Sequence, residues 1–480
     1  MQNSGFFLNL FCGALPGLSS LLQGKRVMPS RKRGTINPNH IVIGSFLGVI
    51  LIGTVLLSLS VSATKSPVSI IDALFTCTSA TCVTGLSVVD IGTVFSRFGQ
   101  IVTSILMQIG GLGITTFSTF FLFVLGGRLS LRGRGIVEAS VTQYPVHRPG
   151  PLLGKILLVT IAVEGLGAAL LYFFLNGPER SGFFPVFTAV YHSVSAYCNC
   201  GFSLYATNLE AYRLNIGVNL VMAGLIVTGG IGFVVLVELS EYFFRRPRRK
   251  RLSFHTKMVV TITALLLLIG TAVFLALEWN NTLAGLSFGY KVLASFFQAV
   301  TPRTAGFSTV PIGSCASATL FFLIILMFIG ASPGSCGGGI KTTSFGVLVG
   351  LAISKLRGSD DVNFFSRKVP DNVVSRAISV AVFSFFAIAV LLMVICITEA
   401  GSEPKCAGGG FLGLLLELTS AFGTVGLSTG ITPYLSTAGK LLVTLLMIVG
   451  RLGPLTIAIA LTARESKPRF RYAEENLLIG

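Results

Sequence analysis

The chain has 480 residues, a mean hydropathy of +0.81 and only 11% charged residues, less than half the share that soluble domains usually carry. Several apolar stretches exceed the length of about 18 residues that a helix needs to cross a bilayer. These values exclude an ordinary soluble enzyme or binding domain. They predict a multi-pass protein of about eight spanning helices surrounded by membrane lipid.

The net charge of +18 is distributed in a way that argues against a nucleic-acid partner. Most Lys and Arg residues fall in five stretches: 25–33, 128–155, 245–257, 355–376 and 464–471. All five are compatible with one side of the membrane, and this asymmetry predicts that both termini are cytoplasmic, in a cell membrane. The basic run 245–251 fits either a loop beside anionic lipid or a docking surface for a cytosolic partner.

The chain order is a cytoplasmic segment (1–39), four repeats and a cytoplasmic tail (464–480). Each repeat predicts a long helix, a short apolar helix and a second long helix. Repeat 1 (40–127) has them at 40–62, 70–80 and 100–124, and repeat 2 (128–244) has them at 152–175, 184–196 and 216–244. Repeat 3 (245–354) has them at 258–277, 290–300 and 318–354, and repeat 4 (355–463) has them at 373–397, 411–421 and 440–463.

Each short helix runs into a loop with glycine, a large apolar residue and serine, recurring about every 105 to 120 residues. A short apolar helix and a glycine loop between two spanning helices predict a re-entrant segment, which must line a water-filled path or be buried. The candidate ion-binding residues are Val83, Thr84 and Gly85; Asn199, Cys200 and Gly201; Thr304, Ala305 and Gly306; and Thr424, Val425 and Gly426.

The chemistry of these loops predicts a filter for a monovalent cation. The C-terminal end of a helix is partially negative, and glycine lets consecutive carbonyls point the same way. Four such loops can replace the water shell of an ion. No acidic residue stands beside the glycines, which argues against a divalent-cation pore.

The apolar region 318–354 would measure about 55 Å as one helix, so it must break within the membrane. The glycine-rich break predicts a gate below the filter, built from Gly334, Ser335, Cys336, Gly337, Gly338, Gly339 and Lys341. A nucleotide-binding phosphate loop is excluded because Ile340 separates Gly339 from Lys341.

Charged residues near these loops have two readings each. Arg451 within an apolar helix predicts either an electrostatic barrier at the gate, or snorkelling or an ion pair with Glu417 or another carboxylate. For Arg303, beside the third loop, a structural contact is favoured over ion contact. Glu164 and Glu238 are the candidates for proton coupling, although both can lie near helix ends.

Two other classes of protein compete with an ion pathway of this kind. A membrane enzyme would need a catalytic or metal-binding cluster, but the four histidines are scattered. A conventional tetrameric channel has one pore unit per chain, whereas this chain has four. The nine cysteines predict buried thiols, and a bridge between Cys315 and Cys406 stays open.

The four loops, together with 108–113, 334–343 and 450–456, resemble the Trk/Ktr/HKT superfamily of potassium transporters, across about residues 40 to 465. Two positions depart from the family pattern: Cys200 stands where Ala is expected, and Cys336 where Thr or Ser is expected. Both residues are small, so neither departure argues against a filter. The resemblance implies an all-α membrane fold with pseudo-fourfold symmetry around one pore. Gly85 implies potassium rather than sodium, although a sodium or mixed monovalent-cation transporter is the alternative.

The absence of a helix pair before residue 40 is more similar to the Ktr-type membrane subunit than to the Trk-type. That likeness implies a homodimer on a ring of cytosolic nucleotide-binding regulatory subunits. It leaves sodium dependence, or symport, open. No cofactor is expected in this chain, and K⁺ is the expected transported ion, with Na⁺ as the other possibility.

Overall fold

Helices form nearly all the regular structure in the computed structural model, which describes residues 38–113, 149–175, 184–244, 252–399 and 410–453. Within these ranges one order of elements occurs four times: a long helix, a short helix, an extended loop and a second helix. The predicted tail 464–480 lies outside the described residues, as does the predicted segment 1–39 apart from residues 38 and 39, where α1 begins. The repeat boundaries stay predictions.

The helices of repeats 1 and 2 come first in the chain. Repeat 1 contains α1 (Pro38–Ser58), α2 (Ile70–Thr81), the single turn α3 (Ile91–Val94) and α4 (Arg97–Leu112). Repeat 2 contains α5 (Pro149–Phe174), α6 (Phe184–Tyr197), α7 (Ile216–Ile231) and α8 (Phe233–Phe244).

The second half of the chain follows the same order. Repeat 3 contains α9 (Phe254–Glu278), α10 (Phe288–Val300), α11 (Ser317–Phe328) and α12 (Thr342–Leu356). A hairpin of β1 (Asn363–Phe364) and β2 (Arg367–Lys368) then leads to repeat 4. Repeat 4 contains α13 (Asp371–Thr398), α14 (Phe411–Gly423) and α15 (Thr437–Leu452).

The short helices form the buried centre of the protein. Each carries a large aromatic side chain with no exposed surface: Phe75, Tyr197, Phe297 and Phe422. The long helices instead leave apolar side chains such as Leu268 and Phe385 exposed, as expected for helices that face lipid. This arrangement puts the loops that follow the short helices at the inside of the molecule.

Polar residues define where the second helices begin. Side-chain oxygens of Ser96, Asn215 and Ser436 accept hydrogen bonds from amides in the first turns of α4, α7 and α15, at 3.1–3.4 Å. In repeats 3 and 4 a carboxylate at the end of the long helix reaches the same region. Glu278 accepts from the Ala316 amide at 2.9 Å, and Glu399 accepts from the Ser436 amide at 3.2 Å. The two spans are therefore joined at this end.

The second helices of repeats 1, 2 and 4 end at a glycine with positive φ. Gly113, Gly232 and Gly453 have φ of 82°, 104° and 83°, which no residue inside a right-handed helix adopts. The predicted continuous helix 216–244 is therefore wrong: α7 and α8 are bent by 106° at Gly232. The predicted continuations at 114–124 and 454–463 lie outside the described residues.

Repeat 3 has the break that the sequence predicts. The helix stops at Phe328, and α12 begins at Thr342. Among the described helices, α5, α9 and α13 are long and apolar enough to span a membrane alone, and α7 with α8 qualifies as a bent pair. The total of about eight spans stays a prediction, because the second helices are divided by their breaks.

Candidate ion-binding site and gate

The four glycine loops have one backbone conformation in common. In each loop the glycine and the residue two positions before it have positive φ, and a residue with ordinary φ separates them. The values are 56° and 92° at Val83 and Gly85, 57° and 84° at Asn199 and Gly201, 69° and 74° at Thr304 and Gly306, and 51° and 92° at Thr424 and Gly426. A left-handed non-glycine residue costs about 1–2 kcal/mol, and such strain clusters at ligand sites.

The four loops meet in a closed ring. A Cβ built on Gly201 would lie 2.5 Å from the Ala305 carbonyl oxygen, and one on Gly306 would lie 2.5 Å from that of Val425. A Cβ on Gly85 would likewise meet the Cys200 oxygen. One on Gly426 would meet the oxygen of Thr84. Each glycine thus touches the loop of the next repeat, in the order 1, 2, 3, 4 and back to 1.

The backbone amides of the loops are bonded to their own short helices. The amides of Thr84, Cys200 and Val425 donate to the carbonyls of Ser79, Ser195 and Ser420, each at 2.8 Å, and Ala305 donates to Thr301 at 3.0 Å. Within the described residues, no donor reaches the carbonyls of the eight residues that precede the glycines: Val83, Thr84, Asn199, Cys200, Thr304, Ala305, Thr424 and Val425. Buried carbonyls are normally bonded, so this set is suited to a cation.

Hydroxyl groups of the short helices brace the loops, a role that the sequence analysis did not assign. The Ser79 and Ser420 side chains accept from the amides of Gly85 and Gly426 at 3.0 Å. The Ser195 and Thr301 hydroxyls donate to carbonyls just beyond the glycines, at 2.8 and 2.6 Å. The signal was present as a hydroxyl residue five or six positions before each glycine.

A second bracing pair lies nine positions before the glycines of repeats 2 and 4. His192 Nε2 lies 3.0 Å from Ser203 Oγ, and the Glu417 carboxylate accepts from the hydroxyls of Ser428 and Thr432. Ser203 and Ser428 each follow their loop glycine by two positions. His192 and Glu417 therefore occupy equivalent positions in repeats 2 and 4. The sequence analysis missed this equivalence because the two residue types are chemically different.

The glycine-rich segment 329–341 of repeat 3 lies against the ring at the ends of the short helices. The Gly338 amide donates to Thr424 Oγ1 at 2.9 Å, and a Cβ on Gly337 would collide with Thr304 Oγ1. A Cβ on Gly339 would lie 3.2 Å from the Cα of Gly423, the last residue of α14. The backbone of the segment thus contacts the side chains of Thr304 and Thr424 in the candidate ion-binding loops of repeats 3 and 4.

Two cations hold this segment through its carbonyls. Lys341 Nζ donates to the Gly337 oxygen at 2.8 Å. The Arg451 guanidinium donates to the carbonyls of Cys336 and Gly110. Arg451 therefore joins repeats 4, 3 and 1, and the alternative that it pairs with Glu417 is wrong. Gly337, Gly338, Gly339 and Cys336 come together here with Lys341 and Arg451. The Gly334 carbonyl accepts from Phe233 of repeat 2, and the Ser335 hydroxyl donates to the Ser332 carbonyl within the segment.

Three further charged side chains were candidates in the sequence: Arg303, Glu164 and Glu238. Arg303 Nη2 donates to Thr263 Oγ1 at 3.2 Å, consistent with the structural contact expected for it. Glu164 lies in the middle of α5, accepting from Gln108 Nε2 at 3.3 Å, so the expectation of a helix end is wrong. Glu238 lies within α8.

The described cysteines carry free thiols, six of them buried. Cys200 is among the ring residues, and Cys198 donates towards Gln108 and Glu164. Cys315 is a free thiol here, and its candidate partner Cys406 lies outside the described residues. Within the described part of the chain no group of His, Cys, Asp and Glu is arranged to hold a metal.

Comparison with known proteins places this arrangement in a family. The model of the TrkH family, described as "Cation transport protein", matches residues 18–472. "Ktr system potassium uptake protein B" of Bacillus subtilis is 40% identical over 445 residues, covering 92% of this chain and 96% of that protein. "Potassium/sodium uptake protein NtpJ" of Enterococcus hirae is 33% identical over 459 residues, covering 95% and 100%.

A solved structure shares the fold. The potassium transporter TrkH from Vibrio parahaemolyticus superimposes with a TM-score of 0.68 at 19% identity, covering 95% of this chain and 90% of that one. The predicted helical membrane fold of four pore-loop repeats is confirmed, and so is the choice of transporter over enzyme. The chain belongs to the TrkH family of cation transport proteins.

Proposed function

We propose that this protein takes up potassium across the cell membrane through the ring of Gly85, Gly201, Gly306 and Gly426. One observation carries the proposal: four loops with the same alternating backbone close into a ring, and the eight carbonyls before the glycines have no donor among the described residues. Carbonyls that replace a hydration shell are the means by which potassium filters work. The printed names of the relatives, which describe potassium uptake, support this choice.

Sodium is the second candidate cation. One relative is named a potassium/sodium uptake protein, and another a sodium transporter, "Sodium transporter HKT1" of Arabidopsis thaliana, 27% identical over 410 residues. Gly85 favours potassium by the resemblance described above. Uptake of rubidium or potassium into liposomes that contain only this protein, with and without sodium, tests the proposal. Uptake of sodium alone would replace it, and uptake that requires both ions would establish symport.

The segment 329–341 is proposed as the gate of this path. Gly338 and Gly337 contact the left-handed residues Thr424 and Thr304 of the ring, so the segment lies across one mouth. Lys341 and Arg451 hold its carbonyls and add positive charge where a cation would pass. The orientation proposed from the basic stretches puts this mouth on the cytoplasmic side.

The assembly is proposed from the likeness to the Ktr systems. The word "system" in the names of those relatives is consistent with further subunits. We infer a homodimer with one pore in each chain, and a separate cytosolic ring that binds nucleotide and regulates the gate. Mass measurement of the purified protein in detergent tests the dimer, and co-purification with cytosolic proteins of the same cell tests the ring.

A further inference from the structure

The middle of the gate segment is attached to repeat 2. Three backbone hydrogen bonds join the two: Phe233 N donates to the Gly334 oxygen at 2.8 Å, Ser332 N to the Gly230 oxygen at 3.0 Å, and Cys336 N to the Gly229 oxygen at 3.3 Å. A Cβ on Gly232 would lie 2.7 Å from the Pro333 oxygen. The segment is therefore attached to the break between α7 and α8, and residues 229–233 of this break are called its seat.

The base of the same segment is closed on itself. Gly330 N donates to the Ile340 oxygen at 2.8 Å, Thr342 N donates to the Ala331 oxygen at 3.2 Å, and the Ser332 and Thr342 hydroxyls lie 3.0 Å apart. These bonds join the start of the segment to its end. A movement of α12 would thus move the paired ends of the segment. It would not directly move the middle of the segment, because the middle is bonded to repeat 2.

The helix that starts at this seat is anchored further along to two long helices. The Glu238 carboxylate of α8 accepts from Ser253 N at 2.5 Å, Ser253 Oγ at 2.7 Å and Thr256 Oγ1 at 2.5 Å, at the start of α9. Glu241 pairs with Lys155 of α5 at 3.0 Å. One face of α8 thus joins the first helices of repeats 2 and 3, and its first amide joins the gate.

We propose that α8 positions the gate and moves with it as one unit, so that displacing α8 from its anchors opens the pore. This inference rests on the proposed gating role of 329–341. It adds repeat 2 as the second half of the gate and names Gly232 and Glu238 as positioning residues. The helix connects the gate segment to residues at the start of α9, so a force applied to the start of α9 reaches the gate segment.

Rubidium flux through liposomes containing the full chain tests this coupling. Gly232→Ala adds a Cβ that meets Pro333 and disfavours φ of 104°, so the segment loses its seat. Glu238→Ala removes the acceptor of three bonds to α9. Each variant should raise flux by about threefold or more, as the loss of a bond or two implies, with unchanged preference for potassium over sodium.

Two substitutions serve as matched controls. Gly224→Ala lies on α7, where nothing is within 4 Å of the added Cβ. Asp360→Asn removes an exposed carboxylate that pairs with Lys355, away from α8. Both should leave flux at the level of the unaltered chain. Deletion of 334–338 is measured beside them, and Gly232→Ala in that background should add nothing further.

A second readout reports the position of the segment directly. Cys336 has no exposed surface. In a chain whose other cysteines are serine, a membrane-impermeant maleimide should modify Cys336 faster in Gly232→Ala and Glu238→Ala than in the parent. Suppose that deletion of 334–338 raises flux, while Gly232→Ala and Glu238→Ala match their controls in flux and in labelling. The proposed role of α8 is then overturned, and the gating role of 329–341 is retained. If the deletion leaves flux unchanged, the proposed gating role of 329–341 is refuted. If Gly232→Ala changes the preference for potassium over sodium, Gly232 belongs to the filter instead.

Discussion

The hydroxyl of Thr424 accepts a hydrogen bond of 2.9 Å from the backbone amide of Gly338. One partner is a left-handed residue of the proposed filter, and the other is a glycine of the proposed gate. Each partner is buried, so the bond is shielded from competing water. The proposed gate is thus joined to the proposed filter by a neutral hydrogen bond, beside the packing contacts of Gly337 and Gly339.

Thr424→Val should loosen this contact without disturbing the ring. Valine fits the left-handed position, since Val83 occupies the equivalent place in repeat 1 with φ of 56°. Loss of one neutral hydrogen bond, about 1 kcal/mol, implies a flux about fivefold higher. Rubidium flux in liposomes measures the effect. Thr424→Ser, which keeps the hydroxyl, should behave as the parent; equal flux in both variants would exclude the contact from gating.

Gly85→Ser should lower the preference for potassium over sodium. The added Cβ would meet the Cys200 carbonyl oxygen, and φ of 92° disfavours any side chain, so the carbonyl ring must shift. Uptake ratios or reversal potentials with the two ions measure the change. Gly48→Ser in α1 is the control, because nothing lies within 4 Å of its Cβ. An unaltered ratio would remove the first loop from the filter.

Deletion of residues 334–338 should raise flux and leave selectivity intact. The deletion removes the backbone that contacts Thr424 and Thr304, while the four glycine loops keep their bonds to the short helices. The variant must first elute as a folded protein of the parent's size. A correctly folded deletion with unaltered flux would end the gating role, and lost selectivity would place the segment in the filter.

Arg451→Ala should raise flux as well, but less than the deletion. It removes a half-buried positive charge and its two bonds to the carbonyls of Cys336 and Gly110. Arg451→Lys separates these effects, because lysine keeps the charge and lacks the forked donor. Flux like the parent in Arg451→Lys would assign the effect to charge. Flux like Arg451→Ala would assign it to the contact, and no rise in either variant contradicts a role at the gate.

Truncation after Ala463 should weaken the proposed dimer. The removed tail combines a charged run with Leu477, Leu478 and Ile479, and such apolar residues have reason to be covered. Mass measurement in detergent compares the truncated and intact chains across a range of protein concentrations. A dimer of undiminished stability would take the tail out of the interface, and a transport-competent monomer of the intact chain would refute the dimer.

Much of this architecture is written in the sequence, because its signals are local. The short helices predicted at 70–80 and 411–421 are found at Ile70–Thr81 and Phe411–Gly423. Their length in apolar residues and the glycines after them suffice, and the fourfold recurrence removes the ambiguity of a single motif. The break after Phe328 was also foreseeable, because one helix of that length cannot fit a bilayer.

The features that the sequence concealed depend on contacts between repeats. The bend at Gly232 escaped prediction because glycine is common within membrane helices, and only the approach of Pro333 shows why it is needed. Arg451 could be read as the partner of Glu417 until its bonds to Cys336 and Gly110 were seen. Contacts between residues far apart in the chain leave no periodic pattern in the sequence, so such pairs cannot be predicted from it.

The covalent linkage of the four repeats has a consequence for how the ring can change over time. In an assembly of four identical chains, one mutation alters all four walls at once. Here the equivalent left-handed positions of the four loops hold different residues: Val83, Asn199, Thr304 and Thr424. Each loop has therefore diverged independently. One loop of the ring can therefore acquire a contact with the segment 329–341 while the other three loops keep their conformation. Mutations can thus change one loop at a time.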